Sequence, residues 1–302
     1  MKINRDHVKE AFAKYVSDYD MSDVKIKLKY DHTYRVAEMC DAITATLDMT
    51  PEDRDIAWLT GMLHDIGRFE QLRRYHTFQD RRSVNHAALS ADILFKNVTA
   101  VSTENEKNKR DEIETARIRA DENRTFRSQN NQREIATKNL ENNKIRLFVE
   151  DPSEDALLEK AIRLHNVYIL PSSLTEREYR FCTILRDADK IDILRVNCET
   201  PRTEIYDLPE EAFHTSSISE HVYADIMACK NVNRDYSKTA IDYMIGHMGF
   251  VFGLVYQESF RQVKKQGYLD QMLSIESSNP DTAAKLVKIR ESLHAYIDEQ
   301  LK

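Results

Sequence analysis

Glycine and proline are scarce in this chain, six of each in 302 residues. That is too few to turn a β-chain at the ~8–12-residue spacing that a sandwich or barrel needs. A polypeptide with so few interruptions is directed toward long helices, and its apolar pattern agrees. Val36, Cys40, Ile43 and Leu47 recur at helical spacing, as do Ile56, Leu59, Leu63 and Ile66, then Leu158, Ile162 and Ile169, and then Leu185, Ala188, Ile191 and Leu194. Start signals fall in step: Thr50-Pro51-Glu52-Asp53 combines a cap, a proline at the first helical position and an acid three residues after the cap, and Asp151-Pro152 repeats the first two. No stretch reads as a strand, so the expected fold is all-α.

Two segments stand apart. Ser102 to Arg146 lacks Gly and Pro, is crowded with charge and asparagine, and spreads Ile113, Ile118, Phe126, Ile135, Leu140 and Ile145 without a steady heptad. It reads as a charged helical insertion, either a solvated hairpin or a partly disordered excursion, or else a lid or an arm for a protein partner. Gly246, Gly249 and Gly253 instead bunch within an apolar helical run, which predicts close approach between helices. The expected organisation is a helical bundle over residues 1–200, interrupted by 102–146, followed by a C-terminal helical subdomain over 201–302.

The net charge of −7 provides no broad positive field for a nucleic-acid backbone or an anionic membrane. Neither is an expected partner, and an anionic ligand must be held by local groups. The most apolar run, Met244 to Tyr256, contains His247 and is too short for a bilayer. Met1-Lys2-Ile3-Asn4-Arg5-Asp6-His7 carries charge where a signal peptide needs an apolar core, and Cys40, Cys182, Cys198 and Cys229 form no CxxC pair. A cytoplasmic protein without a disulfide framework is expected.

The chemistry-bearing pattern is a set of ionisable residues on apolar stripes. His32 leads Val36 and Cys40, His86 leads Leu89 and Ile93, His165 follows Leu158 and Ile162, and Asp189 lies four residues after Leu185. One His-Asp dipeptide, His64-Asp65, means little alone, and a lone histidine on an apolar face is usually a hydrogen-bonded core residue. Several such groups on several helices are costly to bury unless something satisfies them together, and a metal does so economically.

Asp31-His32-Thr33-Tyr34-Arg35-Val36, Leu63-His64-Asp65-Ile66-Gly67-Arg68-Phe69-Glu70-Gln71, Thr77-Phe78-Gln79-Asp80 through His86, Leu164-His165-Asn166 and Arg186-Asp187-Ala188-Asp189-Lys190-Ile191-Asp192 together resemble the signatures of the HD-domain metal-dependent phosphohydrolase superfamily. The separations between successive candidates are those of one helical hairpin, except from His86 to His165, which is longer by about the charged segment. The resemblance implies that His32, His64, Asp65 and the aspartate of the Ala-Asp-Lys stretch hold one metal. It implies that His86 and His165 hold a second, with Asp65 bridging. Periodicity leaves Asp187 and Asp189 equal, and the resemblance selects Asp189. Asn85 and Ser90 depart from the aspartate and glycine of many relatives.

Such a donor set suits two divalent transition-metal ions, Fe, Mn, Ni or Zn. The implied activity is hydrolysis of a nucleotide or related small phosphate ester or anhydride by a metal-bridging hydroxide, with Asp65 and Arg68 as catalytic residues. Lys29, Arg68, Arg81, Arg82 and Lys190 are the candidates for gripping the phosphorylated substrate. The same ligands also serve a di-iron oxygenase, and a nucleotide-sensing or scaffold protein is the non-enzymatic rival.

Overall fold

The computed structural model describes residues 1–96 and 143–302, so most of the 102–146 segment lies outside the described residues. Among the described residues there are helices, 3₁₀ turns and loops but no strand, as expected of an all-α chain. The first set of helices is α1 (Arg5–Val16), α2 (Val24–Thr44), α3 (Pro51–Leu63), α4 (Ile66–Tyr75), α5 (His86–Phe95), α6 (Asp155–Leu164) and α7 (Glu176–Glu199). Their ends are written locally. The Thr50 side chain accepts from Asp53 N–H at the start of α3, and Asn85 accepts from Ala88 N–H at the start of α5. A capping box between Thr175 and Glu178 opens α7, and His76 ends α4 in the left-handed region at φ 54°.

Two close approaches bring the site-bearing helices together. A Cβ on Gly61 would lie 2.7 Å from Cα of Ala37, so α3 seats against the backbone of α2 only because position 61 has no side chain. A Cβ on Gly67 would lie 2.6 Å from the backbone nitrogen of Ser90, which does the same for α4 and α5. The Ser90 hydroxyl then accepts from Gly67 N–H at 2.9 Å, giving this departure from the family pattern a structural role.

The second set is α8 (Arg202–Tyr206), α9 (Glu210–Thr215), α10 (Glu220–Met227), α11 (Ala240–Met248), α12 (Gln257–Gln266), α13 (Tyr268–Leu273) and α14 (Pro280–Gln300). The described residues form two apolar cores, and α7 belongs to both. Phe181, Cys182, Ile184, Leu185 and Ala188 join the first core with Val36, Leu59, Leu63 and Phe69, whereas Ile191 and Leu194 join the second with Phe213, Met248 and Leu293. The cores meet between Ala188 and Ile191, at the turn that carries Asp189.

Three expectations need correction. Ile169 does not continue the α6 stripe, because the helix ends at Leu164 and Ile169 lies in the following loop, 76% exposed. The end of the 102–146 segment belongs to the core: Ile145 is fully buried in a 3₁₀ turn over Lys144–Leu147, and Arg146 pairs with Asp155. Of the three bunched glycines, Gly246 has only ordinary clearance, while Gly249 and Gly253 lie in tight contact and form the ends of a 3₁₀ helix rather than part of an α-helix. No helix among the described residues is long and apolar enough to cross a membrane.

Candidate metal centre

His32 from α2, His64 and Asp65 from the α3–α4 junction, His86 from the start of α5, His165 at the end of α6 and Asp189 from α7 converge on one buried locus. His32 Nε2 lies 3.2 Å from Asp189 Oδ1, and His64 Nε2 lies 3.8 Å from the same oxygen. Asp65 presents its two oxygens to different pairs of rings. Oδ2 is 3.6 Å from the Nε2 of both His32 and His64, while Oδ1 is 3.6 Å from His86 Nε2 and 3.8 Å from His165 Nε2. The donor atoms form two compact groups, His32 with His64 and Asp189, and His64 with Asp65 and His165.

Each ring is pinned from behind. The Nδ1 of His32 meets Asp192 at 2.5 Å, that of His64 meets the Gly61 carbonyl at 2.7 Å, that of His86 meets Asp80 at 2.7 Å, and that of His165 meets the Ile162 carbonyl at 2.7 Å. A carbonyl or carboxylate accepts from an Nδ1–H, so all four Nε2 atoms direct lone pairs inward when the rings are neutral. Asp192 is itself held by Arg35 at 2.6 Å, and Asp80 accepts from Gln71 Nε2 at 3.0 Å.

This arrangement is unsatisfied without a cation. His86 and His165 place their Nε2 atoms 3.0 Å apart. Two metal–nitrogen bonds of ~2.1 Å at a right angle produce a separation of about 3.0 Å. The Nε2 atoms of His32 and His64, Asp65 Oδ1 and Arg68 Nε are buried with no hydrogen-bond partner among the described residues. The donor set therefore fits divalent transition-metal ions.

Ionisation is consistent with that fit. Burial, above all, pushes His86 and His165 down to about 4, leaving their lone pairs free at neutral pH. Burial resists charge on Asp65, yet Lys29, His64 and Arg68 hold its carboxyl well below the usual carboxylate range. His32 behaves differently: burial opposes its protonation, but the hydrogen bonds its ring donates to Asp189 and Asp192 overcome that and raise it. The carboxylates that favour a proton there favour a metal cation in its place.

The two equal aspartates separate clearly. Asp189 faces the rings, whereas Asp187 Oδ2 accepts from Val255 N–H at 2.8 Å, Tyr256 N–H at 3.1 Å and the Ser259 hydroxyl at 2.7 Å, bracing the start of α12. Among the substrate candidates, Lys29 Nζ lies 2.8 Å from Asp65 Oδ2. Arg68 Nε lies 3.6 Å from Asp65 Oδ1, with its guanidinium donating to Gln71 and the Phe78 carbonyl. Arg81 and Arg82 occupy an exposed 3₁₀ turn (Asp80–Arg82) and pair with Asp235 and Asp207. Lys190 Nζ donates to the Gly253 carbonyl at 3.2 Å.

Asp80 and Asp192, which orient the rings of His86 and His32, carry no sequence signal beyond their place in the motifs, one before His86 and the other one turn after Asp189. The family model for the HD domain matches residues 30–194. No curated protein and no solved structure matches the chain. The matched stretch is more than half of the sequence and contains every residue of the converging cluster, and on that basis the chain belongs to the HD-domain metal-dependent phosphohydrolase superfamily.

Proposed function

We propose that the protein is a metal-dependent phosphohydrolase of a nucleotide or related small phosphate ester or anhydride. The observation that carries this reading is Asp65, a buried carboxylate whose two oxygens face two different pairs of inward-directed imidazoles. His32, His64, Asp65 and Asp189 would hold one divalent ion, Fe, Mn, Ni or Zn, and His86 and His165 with Asp65 a second. When bound, such ions supply Lewis acidity toward a phosphoryl oxygen and lower the pKa of a water.

The chain's own groups do the rest. Lys29 balances charge on Asp65 and keeps that carboxylate ionised as an anionic substrate approaches. Arg68 has a buried Nε–H without an acceptor beside the cluster, so a donor is already in place for negative charge that grows on a phosphoryl oxygen. Asp80 and Asp192 fix the faces of His86 and His32, and Phe78 covers both Lys29 and Arg68 at 5.6 Å from its ring centre. That apolar cover keeps bulk water from screening the two cations.

The test is turnover of a nucleotide and phosphate-ester panel by Mn²⁺-loaded protein without oxygen, and then by Fe²⁺-loaded protein in air. Phosphate release in the first arm is the expected result. Oxygen consumption in the second arm with no phosphate release in the first would replace the hydrolase reading with an oxygenase.

A further inference from the structure

The turn after α6 carries His165 and has no regular structure of its own to hold it. The last carbonyls of an α-helix find no donor within the helix, and α6 ends at Leu164, one residue before the ligand candidate. Arg186 reaches these groups from α7. Its Nη1 donates to the carbonyls of Leu164 at 3.2 Å, His165 at 3.1 Å and Val167 at 2.6 Å, and its Nη2 reaches that of Tyr168 at 3.4 Å. The side chain is buried, and these partners are carbonyls rather than a carboxylate. A cation at the C-terminal end of a helix is also favoured by the aligned peptide dipoles. Arg186 stands one turn before Asp189, so the helix that supplies one donor to the cluster also fastens the turn that supplies another.

The fastened turn serves a second ring as well. Asn166 Nδ2 donates to Asp80 Oδ2 and to Asn85 Oδ1, both at 3.2 Å. Asp80 Oδ2 is the oxygen that meets His86 Nδ1 at 2.7 Å, and Asn85 caps the helix that His86 begins. The backbone at 165 and 166 therefore bears on both His165 and His86, the rings whose Nε2 atoms lie 3.0 Å apart. The His165 ring is pinned to the Ile162 carbonyl of its own helix, so its direction follows the last turn of α6. His32 and His64 take their orientation elsewhere, from Asp192 and from the Gly61 carbonyl.

Resting on the two-ion phosphohydrolase reading above, we propose that Arg186 is a positioning residue for the second ion. By gathering the carbonyls of residues 164–168 it fixes the place of His165, and through Asn166 and Asp80 it steadies the face of His86. A planar guanidinium offers several N–H groups in a rigid fork and so addresses several carbonyls at once, which an ammonium on a flexible stem does less well. Arg186 acts through the backbone of the turn, not by contact with a donor atom. Its influence is selective, because the ion at His32, His64 and Asp189 has supports of its own.

The test is stepwise Mn²⁺ loading of full-length, chelator-stripped protein, read by calorimetry in wild type, Arg186→Gln, Arg186→Lys and Asn166→Ala. Circular dichroism and chemical denaturation serve as fold controls, and His165→Ala, which removes a ligand of the second ion, identifies its step in the titration. Arg186→Gln should weaken the second ion by about 10–100-fold and the first by less than about 3-fold, as when a support behind a ligand is removed. Arg186→Lys keeps the cation and should fall between wild type and Arg186→Gln. Asn166→Ala cuts the link to Asp80 without removing a buried charge and should weaken the second ion alone, so the test stands even where Arg186→Gln does not fold.

Equal weakening of both ions, or an unchanged second step in the folded variants, would overturn the assignment, as would a wild type that takes up a single ion. Phosphate release by loaded wild type is measured in parallel. Selective loss of the second ion in the variants, with no phosphate release from wild type, would retain the role of Arg186 and reject the hydrolase reading.

Discussion

The two apolar cores bury polar side chains in opposite ways. In the second core, Asp242 is fully buried and fully paired, accepting from Ser219 N–H and hydroxyl and from the backbone N–H groups of Lys238 and Thr239. Thr282 donates to the Ser216 carbonyl and is equally satisfied. In the first core, the buried histidines use one nitrogen on the protein and leave the other facing its neighbours, with Asp65 Oδ1 and Arg68 Nε also unpaired. Unpaired buried polar atoms cost ~1–3 kcal/mol each, so a cluster of them marks a place arranged for something other than stability. Burial alone does not distinguish Asp242 from Asp65; the pairing of every Asp242 oxygen and the orphaned Oδ1 of Asp65 do.

Removing the central carboxylate of each core should break that comparison most sharply. Asp65→Ala should empty the metal centre and lower phosphate release by about 1000-fold or more, as expected when the Lewis acid is lost. Asp242→Ala should instead cost about 2–3 kcal/mol of stability, read from chemical denaturation, with metal content and kcat/KM retained. Retention of two ions per chain by Asp65→Ala would remove the bridging role.

The aspartates of α7 sharpen the contrast within one helix. Asp189→Asn should shed metal, whereas Asp187→Asn should keep it and loosen the start of α12, visible as faster hydrogen exchange around Val255 to Ser259. The opposite pattern would exchange their roles. One shell outward, Asp80→Ala and Asp192→Ala should each weaken metal affinity by about 10–100-fold without abolishing binding. Competition with a chelator measures this, and an unchanged affinity would reduce the carboxylate–imidazole pairs to packing.

A separate expected effect, confined to acid, is the pH response of His247. Its ring, bonded to the Tyr206 hydroxyl at 2.8 Å, is pushed down to about 3, chiefly by burial. The unfolded value is near 6.5. Between those values the unfolded chain takes up a proton that the folded chain refuses. Its contribution is therefore intact above about pH 6.5, declines on acidification, and is fully lost near pH 3. For chelated protein, the difference between wild type and His247→Asn should reach roughly 1 kcal/mol per pH unit below pH 6. Parallel acid slopes in the two proteins would contradict it.

Much of this was legible in the chain. His32, His86 and Asp189 sit on apolar stripes because helical spacing must turn those positions inward, and the ordered set identified the partners. What could not be read depended on through-space meeting. Asp187 and Asp189 differ by the direction of two side chains on one helix, which only the docking of α12 settles. Asp80 and Asp192 look like any surface acids until His86 and His32 arrive beside them. The α6 stripe failed at Ile169 because an apolar residue after a helix end still matches the period.

The four imidazoles held from behind by the protein's own acceptors bear on metal choice. Rings already oriented lose little freedom when an ion arrives, so loading requires almost no rearrangement, and the ions the cage accepts are those that tolerate the geometry it imposes. Among neighbouring first-row metals that share that tolerance, supply then decides. The element recovered with this protein will follow what the cell provides during growth, and the active metal must be established by exchange rather than by what copurifies.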